Sequence, residues 1–398
     1  MRRLVFLLFT LSALLAAFQP VRAEQTDKIQ VDDLGIFYQF GDYITFQARL
    51  ILPSPASEVD IRFLADGEES TRVFPLTLDE NGGTSFTYDV NQGPVRPFAT
   101  VHYSYYAKLQ DGQELVSEDL FFRYEDNRFP WQTLSDGGLT LHWYAGDLSF
   151  GQTALDAARR GVKRTTELLA STADNPIDIY VYTSSPDLQK ALEIGGPTWV
   201  GGQASPDLRL ALVAISPGPE QGLEMDREIP HELAHILTYG LIQGGYNLLP
   251  GWLREGIATQ AELSANPVNA QALALAAEQK TIIPLADLCG AFPSESGNAS
   301  LAYAESASFT SFLVDRYGQT GLLALISAYV DGLDCEQGAQ NALGQPLSQM
   351  EIDWRVASLG QNIGATAFAN LFPYLAILLV LIAVTLINAF TFKLAKHA

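Results

Sequence analysis

Basic residues, histidine and cysteine are all scarce in this chain of 398 residues. It carries 24 Lys and Arg against 45 Asp and Glu, a formal charge of −21. So few cations give little attraction for a phosphate backbone or an anionic lipid surface, so nucleic acid is not an expected partner. No long acidic run exists either, and the negative charge is spread along the chain. Diffuse acidity of that kind serves solubility more often than recognition of cationic substrates. Cysteine occurs only at positions 289 and 335, and there is no Cys-x-x-Cys. That excludes a cysteine-rich metal site. Histidine occurs five times, which makes any ordered grouping of His informative.

Such a grouping is present as His231-Glu232-Leu233-Ala234-His235, followed by Glu255 inside Trp252-Leu-Arg-Glu-Gly-Ile-Ala258. In a chain of this composition, chance would produce His-Glu-x-x-His in roughly one chain in a few hundred. Apolar periodicity predicts one helix over Met225–Leu241, with Ile229, Leu233, Ile236 and Leu237 as its stripe. On that helix His231 and His235 leave the same face one turn apart, a spacing that lets two neutral imidazoles bind one zinc ion. Glu232 can then reach a water at the metal as general base. A second helix, about Trp252–Leu263, presents Glu255 as third ligand and leaves a fourth position open, as catalytic zinc requires. Gly256 and Ala258 are small enough for the two helices to approach closely. Pro230 disagrees with this pattern, because it lacks a backbone donor. Either the helix starts near Pro230 or it is kinked there.

These residues resemble the gluzincin metallopeptidases, the zinc peptidases with His-Glu-x-x-His plus a downstream Glu, and more closely the peptidase MA-like family. The likeness extends through Leu249–Ala258, Ile283–Leu288, Ala302–Phe309, Phe312–Gly318 and Trp354-Arg355, and spans about Phe129 to Gly360. It implies one zinc ion on His231, His235 and Glu255, with Glu232 as base. Related gluzincins can place a tyrosine that holds the oxyanion, and Tyr303 stands at that point of the sequence; a packed residue at a helix start is the alternative. The resemblance also makes Trp199–Ala204 the candidate edge strand for a peptide substrate, with Gly201 and Gly202 letting its backbone approach. An ordinary hairpin is the alternative there.

The two ends bear on location. Met1-Arg2-Arg3, the apolar run Leu4–Phe18 and Val21-Arg22-Ala23 read as a signal peptide over residues 1–23. An uncleaved anchor is the alternative. Val356–Phe392 lacks charge, and 371–392 is long enough to be expected as a transmembrane helix, with 393–398 as a cytoplasmic tail. The expected protein is thus a single-pass protein of the cell membrane whose bulk is extracytoplasmic. In that oxidising setting Cys289 and Cys335 are expected to pair, although spacing alone leaves two buried thiols open.

Between the ends the pattern changes once. Residues 24–128 alternate with period two, as in Ile44–Leu50 and Thr84–Tyr88, with turns at Asp66-Gly67 and Asp111-Gly112. They suggest an all-β sandwich of immunoglobulin or fibronectin type III kind. Residues 129–362 mix strands (Leu139–Tyr144, Ile177–Tyr182, Leu208–Ile215) with helices (Gly151–Ser171 and most of the chain after Glu255). The fold expected is therefore α+β and zincin-like, after a β-sandwich and before a membrane helix. The expected function is hydrolysis of peptide bonds in a peptide or protein substrate by a zinc-activated water. A catalytically inactive zincin scaffold serving adhesion or binding is the alternative from another class, and the intact Glu232 argues against it. An intramembrane protease is disfavoured by Glu224, Asp226, Arg227 and Glu228, which crowd the metal helix.

Overall fold

The computed structural model describes residues 28–173, 176–192, 201–290, 292–293, 296–361 and 363–395. The expected signal peptide, 1–23, lies outside them. The chain forms two compact units, Met1–Arg128 and Phe129–Ala398.

The first unit is β-rich: β1 (Lys28–Gln39), β2 (Tyr43–Ile51), β3 (Ala56–Ala65), β4 (Arg72–Pro75), β5 (Gly83–Asp89), β6 (Thr100–Leu109), β7 (Glu114–Ser117) and β8 (Leu120–Arg123). Alternation explains the strands. Along β2, Ile44, Phe46, Ala48 and Leu50 are buried while the residues between them are more open. The expected pair of separate sheets is corrected to one hydrogen-bonded sheet in the order β4-β3-β6-β7-β1-β2-β5, with β8 on β6. Two parallel residue pairs between β1 and β7 join what would otherwise be two halves. The sheet folds over itself, because Phe74 of β4 stacks on Phe86 of β5, 5.1 Å away, although these strands end opposite sides of the order. Tyr103, Tyr105 and Tyr106 are core residues.

The second unit begins with β9 (Gln132–Asp136), β10 (Leu139–Trp143), α1 (Leu148–Leu169), β11 (Ile177–Tyr182), α2 (Ser185–Leu192), β12 (Gly202–Ser205) and β13 (Leu210–Ala214). Its sheet runs β12-β13-β11-β10-β9, parallel at β10/β11 and β11/β13, with β12 at an edge. Asp147 caps α1 by accepting from the Phe150 amide, 3.0 Å. Ala154, Leu155 and Ala158 of α1 share a core with Leu141, Ile179 and Val213 of the strands.

Helices follow: α3 (Gln221–Ile242), α4 (Gly251–Ala261), α5 (Pro267–Gln279), α6 (Ser296–Val330), α7 (Cys335–Leu343), α8 (Leu347–Leu359) and α9 (Ile363–Ala395). Ile229, Leu233 and Ile236 of α3 join the sheet core, and Trp252, Leu253 and Ile257 of α4 enter a second core with Phe309 and Trp354. Gly318, at φ 68°, puts a kink inside α6. Cys289 and Cys335 form a disulfide. The Cys289 carbonyl accepts from the Gly251 amide, 3.2 Å, and so holds the first turn of α4.

The expected transmembrane helix, 371–392, is corrected. Among the described residues no helix is long and apolar enough to cross a membrane. The expected tail, 393–398, rested on that span and falls with it.

Glu305 of α6 is fully buried. One carboxyl oxygen accepts from the Ile283 amide, 2.9 Å, and the other has no partner. Burial pushes its pKa up to about 8, against the Ile283 hydrogen bond and the charge of Arg355. Between 4.5 and about 8 the folded state keeps a proton that the unfolded chain has released. Stability from this site is therefore complete below that window and falls as pH rises through it. Glu305→Gln keeps the acceptor and never ionises. Thermal melts with chelator present should show the wild type losing stability from pH 5 to pH 8 relative to this variant, by on the order of 2 kcal/mol. Parallel pH curves would contradict the buried proton.

Candidate metal centre

The centre is assembled by two helices that meet along a seam of small residues. Ala234 of α3 and Ala258 and Ala261 of α4 form a buried alanine cluster of their own. Without longer side chains at the seam, α3 and α4 lie close enough for their polar residues to converge. Gly256, expected at this seam, faces α6 instead. A Cβ there would lie 2.0 Å from Thr310 Oγ1 and 2.7 Å from the Ser306 carbonyl.

His231 and His235 leave one face of α3, and Glu255 reaches them from α4. Glu255 Oε2 lies 3.4 Å from His231 Nε2 and 3.5 Å from His235 Nε2. The three ligand atoms all fall within 4.8 Å of one another, the one such grouping of His, Cys, Asp or Glu among the described residues. Glu255 Oε2 is buried and makes no hydrogen bond. Spacings of this size match the ~3.3 Å edge of a tetrahedron with ~2.05 Å bonds, which suits zinc. Two nitrogens and one carboxylate oxygen are also the donor set of catalytic zinc. The residues present fit the ion.

Each imidazole is held from behind. His231 Nδ1 is 3.0 Å from Glu262 Oε1, and His235 Nδ1 is 2.8 Å from the Tyr246 hydroxyl. Metal-binding histidines characteristically use the second nitrogen in this way, which fixes the ring and its tautomer. Neither Glu262 nor Tyr246 was anticipated. Glu262 stands seven residues after Glu255, two helical turns on, and that spacing was a signal available in the sequence. Tyr246 sits in a 3-10 turn, Gln243–Leu248, whose sequence carries no such mark.

The electrostatics follow from packing acids around two imidazoles. Burial opposes the charge on Glu255, but the positive charges of His235 and His231 beside it outweigh burial and hold the carboxyl well below its usual range. Burial likewise opposes the charge on His231, and Glu255 and Glu262 overcome it, so its pKa is well raised. Burial lifts Glu232 to about 7, with Glu228 and Glu255 adding and the two His charges opposing. A carboxylate near neutrality is matched to proton transfer at ordinary pH.

Glu232 is 6 % exposed, and no hydrogen bond holds it among the described residues. It opens on a cleft of about 280 Å³ that Gly201, Gly202, Glu228, His231 and Tyr303 also line. Gly202 starts the edge strand β12 directly over this acid, and a Cβ there would lie 2.4 Å from Glu232 Oε1. Trp199 and Val200 of the expected edge strand lie outside the described residues. The Tyr303 ring lies 6.0 Å from that of His231 and 5.1 Å from Phe292. Burial raises its pKa, and the acids around it push the same way, so it stays a phenol that can donate. A larger cavity of about 1150 Å³, walled by α5 and α8, shares no residue with this cleft. His142 pairs with Asp178 and stacks on Tyr180, apart from the ligand group.

Residues 157–360 match the family model described as Peptidase MA superfamily. No curated protein matches the chain. Among solved structures it is similar to an aminopeptidase N family protein from Idiomarina loihiensis, at 7% identity over 83% of this chain and 74% of that one, with a TM-score of 0.35. It is also similar to a polysaccharide deacetylase from Bacillus cereus, at 9% identity over 51% and 66%, TM-score 0.21. A cycloalternan-degrading enzyme from Trueperella pyogenes matches at 20% identity with a TM-score of 0.17; the match covers 27% of this chain and spans only 13% of that enzyme's length. Overlaps this loose bear on neither fold nor chemistry.

Replacing Glu262 by Gln removes the charge behind His231 and keeps an acceptor. Zinc affinity, read by competition with a chromophoric chelator, should weaken about 10- to 100-fold. An unchanged affinity would remove Glu262 from the centre.

Proposed function

The chain belongs to the Peptidase MA superfamily, and from that premise we propose that it is a zinc-dependent peptidase working outside the cytoplasm. The observation that carries the reading is the convergence of His231 Nε2, His235 Nε2 and Glu255 Oε2 beside a buried Glu232 that opens on the cleft. A metal-binding scaffold alone has no need of that acid. The disulfide supports the location, because such bonds persist in oxidising compartments.

The chemistry divides among named side chains. His231, His235 and Glu255 would hold the ion, with Glu262 and Tyr246 fixing the two rings. When bound there, zinc supplies Lewis acidity, lowering the pKa of a water and polarising a carbonyl. Glu232 takes the proton from the attacking water and hands it to the leaving amine, which its raised pKa suits. Tyr303 donates a hydrogen bond from its hydroxyl to the oxygen on which negative charge develops. The substrate backbone lies along the open edge of β12, and Gly201 and Gly202 remove the side chains that would obstruct it.

Cleavage of an unbiased peptide mixture, read by mass spectrometry, tests this directly. Wild type should yield products that Glu232→Gln does not, with turnover lowered at least ~100-fold, while zinc content in that variant stays at the wild-type level. His235→Ala should lose the metal as well as the activity. Equal cleavage by wild type and Glu232→Gln would refute the role of the acid.

A further inference from the structure

Proline is the residue least tolerated inside a helix, yet Pro230 occupies the tenth position of α3, directly before the first metal-binding histidine. Its ring nitrogen carries no proton, so the carbonyl four residues earlier, that of Asp226, has no helical donor. The carbonyl is nevertheless used. The amide of Leu263, just beyond the end of α4, donates to Asp226 O at 2.8 Å. Leu263 follows Glu262, the residue behind His231.

We infer that Pro230 is a positioning residue for the metal centre: it keeps the Asp226 carbonyl free for Leu263, and that bond sets Glu262 against His231. This rests on the zinc reading of the site. The contacts close a ring. Glu262 donates its own amide to the Thr259 carbonyl at 3.2 Å, and Leu263 donates to Asp226, so the backbone is fixed on both sides of the Glu262 Cα. From that fixed point Glu262 Oε1 reaches His231 Nδ1, and His231 returns along α3 to Pro230 and Asp226. Outer contacts from α1 hold the ring in place. Arg160 binds Asp226 Oδ1 at 2.6 Å, Arg164 binds the Gln260 carbonyl at 2.6 Å, and Gly161 leaves room for the proline. A Cβ at Gly161 would stand 2.7 Å from Pro230 Cβ. With any other residue at 230, a restored helical N–H competes with Leu263 for the same oxygen.

The test uses the whole chain as wild type, Pro230→Ala, Glu262→Gln and the double variant. Zinc dissociation constants come from chelator competition, and the visible spectrum of the cobalt(II)-loaded protein reports the ligand field. Amide hydrogen exchange at Leu263 reports the bond itself without metal. Glu262→Gln should weaken zinc about 10- to 100-fold. Pro230→Ala should weaken it about tenfold, shift the cobalt spectrum in the same sense and speed exchange at Leu263. The double variant should bind no more weakly than Glu262→Gln alone, because Pro230 acts through Glu262. Pro230→Ser restores the same N–H with a different side chain and should match Pro230→Ala, which guards against a packing effect of one substitution. Wild-type zinc affinity in Pro230→Ala, or additive losses in the double variant, would overturn the inference while leaving the zinc reading intact. A wild type that takes up no zinc would overturn both.

Discussion

The candidate metal centre turns on one atom, Glu255 Oε2, buried 3.4 and 3.5 Å from two imidazole nitrogens and without a hydrogen bond among the described residues. A buried carboxylate oxygen in that state is costly unless something cationic completes it. The surrounding structure is arranged to keep it there. The alanine seam sets the distance between α3 and α4, and Gly256 lets α6 press α4 from its other side. The disulfide-linked segment at Cys289 holds the start of α4. The sheet matters mainly as the platform on which α3 lies and as the edge that passes over Glu232.

The scarcity of basic residues takes on meaning at this point. Glu228, Glu232, Glu255 and Glu262 crowd one small region, and Arg227, which pairs with Glu228 at 2.9 Å, supplies local positive charge. Glu255 and Glu262 drive His231 toward its cationic form, while burial, aided by Glu228 and Glu255, drives Glu232 toward its neutral one. A divalent ion offsets this crowding of acids without requiring a proton on the ring nitrogen that faces it.

Legibility in the sequence followed the physics of each feature. The spacing of His231 and His235 depends only on helix geometry, and Glu255 was marked by its motif, so the three residues that converge in the structure could be picked out before any fold was known. The sandwich-like alternation was equally visible. What strands pair with is a non-local property, however, and the single folded-over sheet could not be read from alternation alone. The direction faced by Gly256 depends on α6, which is distant in sequence. The apolar run 371–392 illustrates the opposite error, since composition alone does not establish a span. Pro230 looked like a defect because a proline's effect was judged within its own helix, whereas its consequence is a hydrogen bond to a residue 33 positions beyond it.

The two imidazoles are not equivalent, and the difference follows from what stands behind them. A carboxylate faces His231 and a neutral phenol faces His235. A charged acceptor strengthens the Nδ1 hydrogen bond and makes the opposite nitrogen the more basic donor. His231 is also the ring beside Tyr303 and next to the cleft-lining Glu228 and Glu232, while His235 points toward the turn that carries Tyr246. The stronger outer bond thus lies on the side of the cleft, and it is the side on which the Leu263 amide donates to the Asp226 carbonyl. Under the proposed zinc reading, rigidity is concentrated beside the cleft, and the proline that interrupts α3 is part of how the chain achieves it.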